Sequence, residues 1–102
     1  MVVGCLEIVV AIDAAESLKE KRSVVRRLVE RTRNKFNVSA AEVAANDEHR
    51  RAVIGVTTVS NDGQFVNSVL DKVLDFVEDE AIGRCEVVDH RIEILHVNGA
   101  HE

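Results

Sequence analysis

Apolar residues recur with two different periods along the chain, and these periods divide it into six predicted elements. Four segments are rich in β-branched residues over strand-like lengths, which predicts β-strands at residues 2–14, 38–47, 51–60 and 84–97. Two segments repeat apolar residues at the i, i+3, i+4, i+7 spacing of an amphipathic helix. The first of these helices begins near residue 18 and ends between residues 34 and 37, and the second covers residues 62–79.

Capping residues mark the starts of both predicted helices. Ser17 opens an S-x-x-E capping box with Glu20, whose side chains can bind the free amides of a helix that begins near Leu18. The predicted apolar stripe of this helix consists of Leu18, Val25, Leu28, Val29, Thr32 and Phe36. The second helix follows the cap and turn residues 60–63 and stops before Gly83.

The predicted β-α-β-β-α-β order, without repeats or linkers, is typical of the ferredoxin-like fold. In this fold two split β-α-β units form a four-stranded antiparallel sheet, and both helices pack on one face of it. The length of 102 residues is enough for a single hydrophobic core. We therefore expect one α+β domain at residues 1–97, followed by a polar C-terminal tail at residues 98–102.

The composition is that of a globular protein, with 46% hydrophobic and 30% charged residues. Glu7 and Asp13 interrupt the apolar start of the chain, so a buried strand explains it better than a signal peptide. A stretch of about 18 uninterrupted apolar residues, as a membrane span requires, is missing. Without a signal peptide or a membrane span, we expect a cytoplasmic protein. Cys5 and Cys85 lack CxxC spacing, which favours two reduced, buried thiols over metal binding or redox chemistry.

Charge is distributed unevenly between the two predicted helices. Residues 17–35 hold eight cations and two acids, although the net charge of the chain is -5. The second helix supplies much of the balancing charge, since residues 62–80 hold six acids and one lysine. Two explanations stay open on these grounds. Either the basic helix face pairs with the neighbouring acidic helix, or it binds an anionic partner.

The positions of the cations along the first helix favour an anionic partner for some of them. The cations at residues 31–35 lie in the last turns, where the helix dipole stabilises positive charge. Lys19, Lys21 and Arg22 lie in the first turns, where the dipole disfavours each of them by about 0.3–1 kcal/mol. Three cations at this end are easier to understand if an anion binds there.

A subset of the cations also shares one side of the helix. At about 100° per residue, four side chains fall within about 60° of one another beside the apolar stripe. These four are Lys19, Arg22, Arg26 and Arg33. The candidate nucleic-acid-binding residues are therefore these four together with Lys21 from the first turn.

Nucleic acid is the anion that best suits a row of Lys and Arg along a helix, because its phosphates repeat. A nucleotide site would need a Gly-rich loop, which the sequence lacks. Phe36, Phe65 and Phe76 are predicted to face the core, and the predicted strands offer no aromatic residue on which bases could stack. We therefore expect structured RNA held by its phosphates and groove shape, and our hypothesis is ribosomal RNA or a preribosomal particle.

Two sequence segments also carry a resemblance to a known family. S-L-K-E-K-R at residues 17–22 and K-F-N-V-S at residues 35–39, with Asp47 and Arg51 ahead of a strand containing Gly55, resemble the YlxP-like proteins. These are a bacterial family of uncharacterised domains, and the similarity covers nearly the whole chain. The resemblance implies the ferredoxin-like fold. It also implies a translation setting, because genes of this family often lie near genes for translation initiation and ribosome maturation.

Apolar residues on both faces of the predicted strands suggest an alternative function. If the helices cover one sheet face, a homodimer could bury the other face across a two-fold axis. The competing explanation is that polar residues keep that face hydrated in a monomer, namely Glu7, Asp13, Glu86, His90 and Glu93. The alternative function is a homodimeric protein-interaction or ligand-sensing module that binds no nucleic acid.

Residues with catalytic chemistry do not form a recognisable enzyme site. Acylphosphatases share the fold, but their glycine-rich loop after the first strand is missing from D-A-A-E-S-L-K-E-K-R. The chain has one compact group of acids and a histidine, formed by Glu42, Asp47, Glu48 and His49. A turn with solvated side chains explains this group better than a catalytic or metal site does. The sequence therefore predicts a protein that is not an enzyme and needs no metal or cofactor.

Overall fold

The computed structural model describes residues 1–98, which form one antiparallel sheet and two helices. The elements in chain order are β1 Val2–Ala11, α1 Leu18–Lys35, β2 Ser39–Ala44, β3 Arg51–Ser60, α2 Gly63–Ala81 and β4 Glu86–His96. The strand order in the sheet is β2-β3-β1-β4. These findings confirm the predicted α+β class and the ferredoxin-like β-α-β-β-α-β arrangement.

The predicted ends of the elements shift by a few residues at most, and β3 agrees with its prediction at both ends. The largest changes are in β1 and β2. β1 ends at Ala11 because the chain turns after Ile12, where the amide of Ala15 binds the carbonyl of Ile12 at 3.0 Å. The predicted polar tail covers residues 98–102, of which residues 99–102 lie outside the described residues. Neither helix is long and apolar enough to cross a membrane.

The core lies between the sheet and the two helices. Alternate residues of β1 point toward the helices, so Leu6, Ile8 and Val10 are fully buried. Gly4 lies on the same side, where α2 approaches the sheet closely. A Cβ atom at Gly4 would lie only 2.2 Å from Cγ1 of Val66, so this position requires glycine.

A register shift in the β1–β4 pair changes the sheet face toward which the side chains of one part of β4 point. The shift lies between Val9 and Val10, where β4 has one extra residue. His90 consequently pairs with Ile8, whose side chain is buried on the helix side. Directly paired residues point to the same face of a sheet, so His90 lies toward the helix side. The prediction that His90 hydrates the other face is therefore wrong.

The face of the sheet away from the helices is called here the open sheet face, and it carries several large apolar side chains. Val43, Val59 and Leu95 are 51%, 61% and 43% exposed, respectively. Val43 covers Gly55, since its Cγ1 would lie 2.7 Å from a Cβ atom at that glycine. Apolar side chains thus lie on both faces of the sheet.

Candidate nucleic-acid interface

The orientation of α1 is fixed by its capped start and its buried face. The amide of Glu20 donates to Oγ of Ser17 at 3.2 Å, as predicted for a capping box. The Glu20 carboxylate accepts from the amide of Glu16 at 2.7 Å, one residue earlier than that motif implies. The buried residues of α1 are Lys21, Val25, Leu28, Val29 and Thr32. Four residues of the predicted apolar stripe are therefore buried, while Leu18 and Phe36 at its ends are half-buried. Lys21 is buried on the same face.

Three arginines of α1 line one groove along the edge of the sheet. Arg22, Arg26 and Arg33 border this groove on the helix side, and Ala41 and Glu42 border it on the β2 side. Two valines of α1 complete the lining, and the groove has a volume of about 300 Å³. We call it the arginine groove. The structure thus brings together three of the residues that the sequence proposes for nucleic-acid binding.

Arg33 is the member of the arginine groove with a defined contact to the sheet. Its Nη2 atom donates a hydrogen bond to the carbonyl of Ala40 in β2. Because β2 is an edge strand, this bond anchors the Arg33 side chain at the border of the sheet. A guanidinium has further N–H donors, so the bond orients Arg33 and leaves donors for a ligand.

Lys19 extends the row of arginines toward the start of α1. It is exposed and projects from the same side of the helix as Arg22 and Arg26. From Lys19 to Arg33 the row is about 21 Å long, at about 1.5 Å per residue. We call Lys19, Arg22, Arg26 and Arg33 the basic ridge.

Lys21, the fifth residue proposed from the sequence, is not at the surface. Its side chain is 0% exposed, and its Nζ lies 2.7 Å from Oε2 of Glu42. The same Nζ donates to the carbonyls of Ala45 at 2.8 Å and Asn46 at 3.3 Å. Three acceptors match the three donors of an ammonium group, which explains how the charge can be buried. The prediction that Lys21 contacts nucleic acid is therefore wrong.

The turn after β2 is shaped to present these carbonyls to Lys21. Ala45 has a φ of 60°, in the left-handed region, at the point where the chain leaves the strand. The residues Asp47, Glu48 and His49 follow in this turn. Across residues 1–98, no three His, Cys, Asp or Glu side chains group closely enough to hold a metal ion.

The acidic helix α2 pairs with the opposite side of α1. Nε of Arg31 lies 2.9 Å from Oε2 of Glu80, and the two side chains are 47% and 18% exposed. Arg31 projects away from the basic ridge. In the described part of the chain, Arg31–Glu80 and Lys21–Glu42 are the two ion pairs. Pairing between the helices therefore accounts for Arg31 and leaves the basic ridge without an acidic partner from α2.

Aromatic side chains do not contribute to the arginine groove. Phe36 and Phe76 pack edge to face, with ring centroids 5.6 Å apart, and both are partly buried against the core. Phe65 is 57% exposed on α2, so the prediction that it faces the core is wrong. The groove therefore offers cations and aliphatic surface to a ligand, without a ring on which a base could stack.

Sequence reasoning missed two features of this region. The first is the pairing of Glu42 with Lys21. The sequence held a signal for it, because Glu42 lies two residues after the buried Ala40 and therefore on the same, helix-facing side of the strand. An acid on that side needs a partner. The second is a shallow cavity of about 540 Å³ on the open sheet face, lined in part by Cys5, Ala41 and Thr57. It depends on strand pairing, which leaves no local signal.

The fold and the site define a small ferredoxin-like domain with a basic first helix. A solution NMR structure of a de novo designed protein with a ferredoxin fold matches it with a TM-score of 0.59 and 11% sequence identity. The match covers 100% of this chain and 92% of the designed chain. At this level of identity the likeness shows the fold alone.

Sequence comparison places the protein more narrowly. The family described as "Protein of unknown function (DUF503)" matches residues 3–92, so the chain belongs to this family. The chain is also 38% identical over 76 residues to the uncharacterised protein YlxP of Bacillus subtilis. This match covers 74% of this chain and 83% of that protein. These findings confirm the YlxP-like relationship that the sequence motifs indicated.

Proposed function

We propose that the protein binds structured RNA through phosphate contacts from the basic ridge. The observation that carries the proposal is the arginine groove, in which Arg22, Arg26 and Arg33 converge on the side of α1 that α2 does not neutralise. Guanidinium groups bind phosphate oxygens in bidentate geometry, so three of them in one groove suit this ligand. The proposed role is binding rather than catalysis.

The length of the basic ridge supports a polyanion over a small anion. Its four cations extend over about 21 Å of helix, which is too long for one phosphate group to contact them all. The backbone of a nucleic acid presents phosphates at several points along this distance. The sequence proposal of a repeating phosphate ligand is therefore compatible with the geometry of the four exposed cations.

Structured RNA is preferred over a single strand because stacking partners are lacking near the ridge. Single-strand binding proteins combine a basic groove with aromatic side chains on which the bases stack. The arginine groove has no such side chain among its lining residues. Duplex RNA needs none, since proteins recognise it by its shape, phosphates and 2′-hydroxyls. We propose ribosomal or preribosomal RNA in the cytoplasm as the setting, on the strength of the gene neighbourhood of the family.

A comparison of two variants of equal net charge tests the proposal. The ridge variant carries Lys19→Gln, Arg22→Gln and Arg26→Gln. The matched control removes three exposed cations elsewhere, Arg31, Lys35 and Lys72, also by substitution to Gln. Each phosphate contact contributes about 0.9 to the salt slope on a duplex, so at about 0.1 M salt the ridge variant should lose affinity by a factor on the order of 10² or more.

The measurement is fluorescence anisotropy with a labelled RNA duplex of about 20 base pairs, which is long enough for a shape-reading protein. A single strand of the same sequence and purified ribosomal RNA serve as further ligands. The control variant should bind the duplex nearly as the unaltered protein does. Equal losses in the two variants would mean that net charge alone attracts RNA, and the proposal would then be refuted.

The second candidate function is a homodimer formed through the open sheet face. The exposure of Val59 and Leu95, which both pair with Val3 on this face, favours it, because neighbouring apolar side chains on a sheet surface are typical of an interface. Val43 adds a further exposed apolar side chain beside Gly55. A four-stranded sheet face is small for this purpose, so we expect weak association, at the low end of specific interfaces. The same face carries the shallow cavity that a ligand-sensing module would use.

Sedimentation velocity at micromolar concentration tests the dimer. Val59→Lys places a charge on the open sheet face and should convert the dimer to a monomer. Phe65→Lys is the control, because Phe65 is similarly exposed but lies on α2. A monomer already in the unaltered protein would exclude this candidate without affecting the RNA proposal.

A further inference from the structure

Glu42 is the acidic residue in the wall of the arginine groove. It borders the same cavity as Arg22, Arg26 and Arg33, and its side chain is 16% exposed. A carboxylate in this place can form a bidentate pair with a guanidinium, which is also the geometry by which a guanidinium binds phosphate. The groove can offer all three arginines to an anion only if Glu42 is engaged elsewhere.

Lys21 engages Glu42 in a buried ion pair. Its Nζ lies 2.7 Å from Oε2 of Glu42 and is 0% exposed, so water and salt screen this attraction weakly. The carbonyls of Ala45 and Asn46 hold the ammonium group in place. Lys21 thus directs the Glu42 carboxylate toward the core and compensates its charge within the fold.

We infer that Lys21 is a positioning residue for anion binding, because it keeps Glu42 from pairing with the arginines of the groove. This inference rests on the proposed function and concerns the same site. Without Lys21, Glu42 pairs with the nearest arginine, and the groove loses one phosphate contact. A lysine that no ligand touches therefore determines how many cations the ligand meets.

Four proteins test the inference: the unaltered chain, Lys21→Met, Glu42→Gln, and the double variant that carries both changes. The probe is the labelled RNA duplex. Lys21→Met should lower the salt slope by about 0.9, which corresponds to roughly an eightfold loss of affinity at about 0.1 M salt. The double variant should return to the affinity of the unaltered protein, because neither charge is left. Glu42→Gln should bind at least as tightly as the unaltered protein.

A purely structural role for Lys21 predicts a different pattern. If Lys21 only braces α1 against β2, then Lys21→Met and the double variant lose the same affinity, and this result would overturn the inference. So would unaltered binding by Lys21→Met. Thermal melts establish which variants fold. If Lys21→Met does not fold, the double variant and Glu42→Gln distinguish the two roles of Lys21. A bracing role predicts weaker RNA binding in both variants, whereas the inference predicts weaker binding in neither.

A measurement without RNA separates this inference from the proposed function. In ¹⁵N-labelled protein, pairing with Glu42 should slow the solvent exchange of the Nε–H proton of Arg22 or Arg26 several-fold. We expect this slowing in Lys21→Met and not in the unaltered chain or the double variant. If the unaltered protein bound no RNA, the proposed function would fail, while the exchange rates would still decide the inference. Equal exchange in all four proteins would overturn it.

Discussion

Replacing Lys21 with methionine should destabilise the protein far more than a surface substitution does. The Lys21 ammonium is 0% exposed and lies 2.7 Å from a Glu42 carboxylate that is 16% exposed. Removing one partner of a buried ion pair costs about 3–5 kcal/mol. Because Glu42 retains some contact with water, we expect a loss of about 2–4 kcal/mol in the free energy of unfolding. This is a large share of the roughly 5–15 kcal/mol that a domain of this kind has.

Urea denaturation followed by circular dichroism measures the effect, and a double-mutant cycle isolates the pair. Lys21→Met together with Glu42→Gln should cost less than Lys21→Met alone, with a coupling energy of about 1–3 kcal/mol. Lys19→Met is the matched control, since the same substitution at an exposed site in the same helix turn should change stability by less than about 0.5 kcal/mol. A cost for Lys21→Met as small as that of the control would refute the burial of Lys21.

Three further predictions concern packing and titration. Gly4→Ala should cost about 1–3 kcal/mol, because its Cβ would lie 2.2 Å from Val66 in the core. Gly55→Ala should cost less than about 1 kcal/mol, because the neighbour at 2.7 Å is the exposed and movable Val43; equal midpoints in urea would contradict this contrast. Burial raises the pKa of the Cys85 thiol, so its folded form should react with iodoacetamide more slowly than the unfolded chain does. For the same reason the free energy of unfolding should fall as the pH rises above the ordinary thiol pKa, because the folded state holds the proton more tightly than the unfolded chain does. A free energy of unfolding that did not change over this pH range would contradict the expectation.

The elements of this fold can be predicted from sequence because their signals are local. Ser17 and Glu20 fix the start of α1 within one helical turn, and the residues of β3 alternate between buried and more exposed from Arg51 to Thr57. The ends of β1 and β2 are less accessible to such reasoning. Backbone pairing of β1 continues as far as the bond from Ile12 to Arg50, a contact between residues far apart in sequence, and the chain then turns.

The candidate site is only partly predictable, and Lys21 shows why. Its helical position falls within the apolar stripe, between Leu28 and Thr32, but a lysine on an apolar face commonly extends its charge into solvent. It is buried because a carboxylate and two carbonyls from the end of β2 and the following turn surround it. Helix geometry likewise groups the basic ridge on one side of α1. It does not determine whether that side faces α2 or the sheet edge, because this depends on the packing of the whole domain.

The salt dependence of binding to an RNA duplex tests the central claim most directly. Four phosphate contacts from the basic ridge predict a slope of log affinity against log salt of about -3.6, and the ridge variant should retain about -0.9. Between about 50 and 200 mM salt, the unaltered protein should therefore lose affinity about 150-fold and the ridge variant about threefold to fourfold. Absence of binding at the lower salt concentration, or the same slope in both proteins, would contradict the assignment of the basic ridge to phosphate contacts.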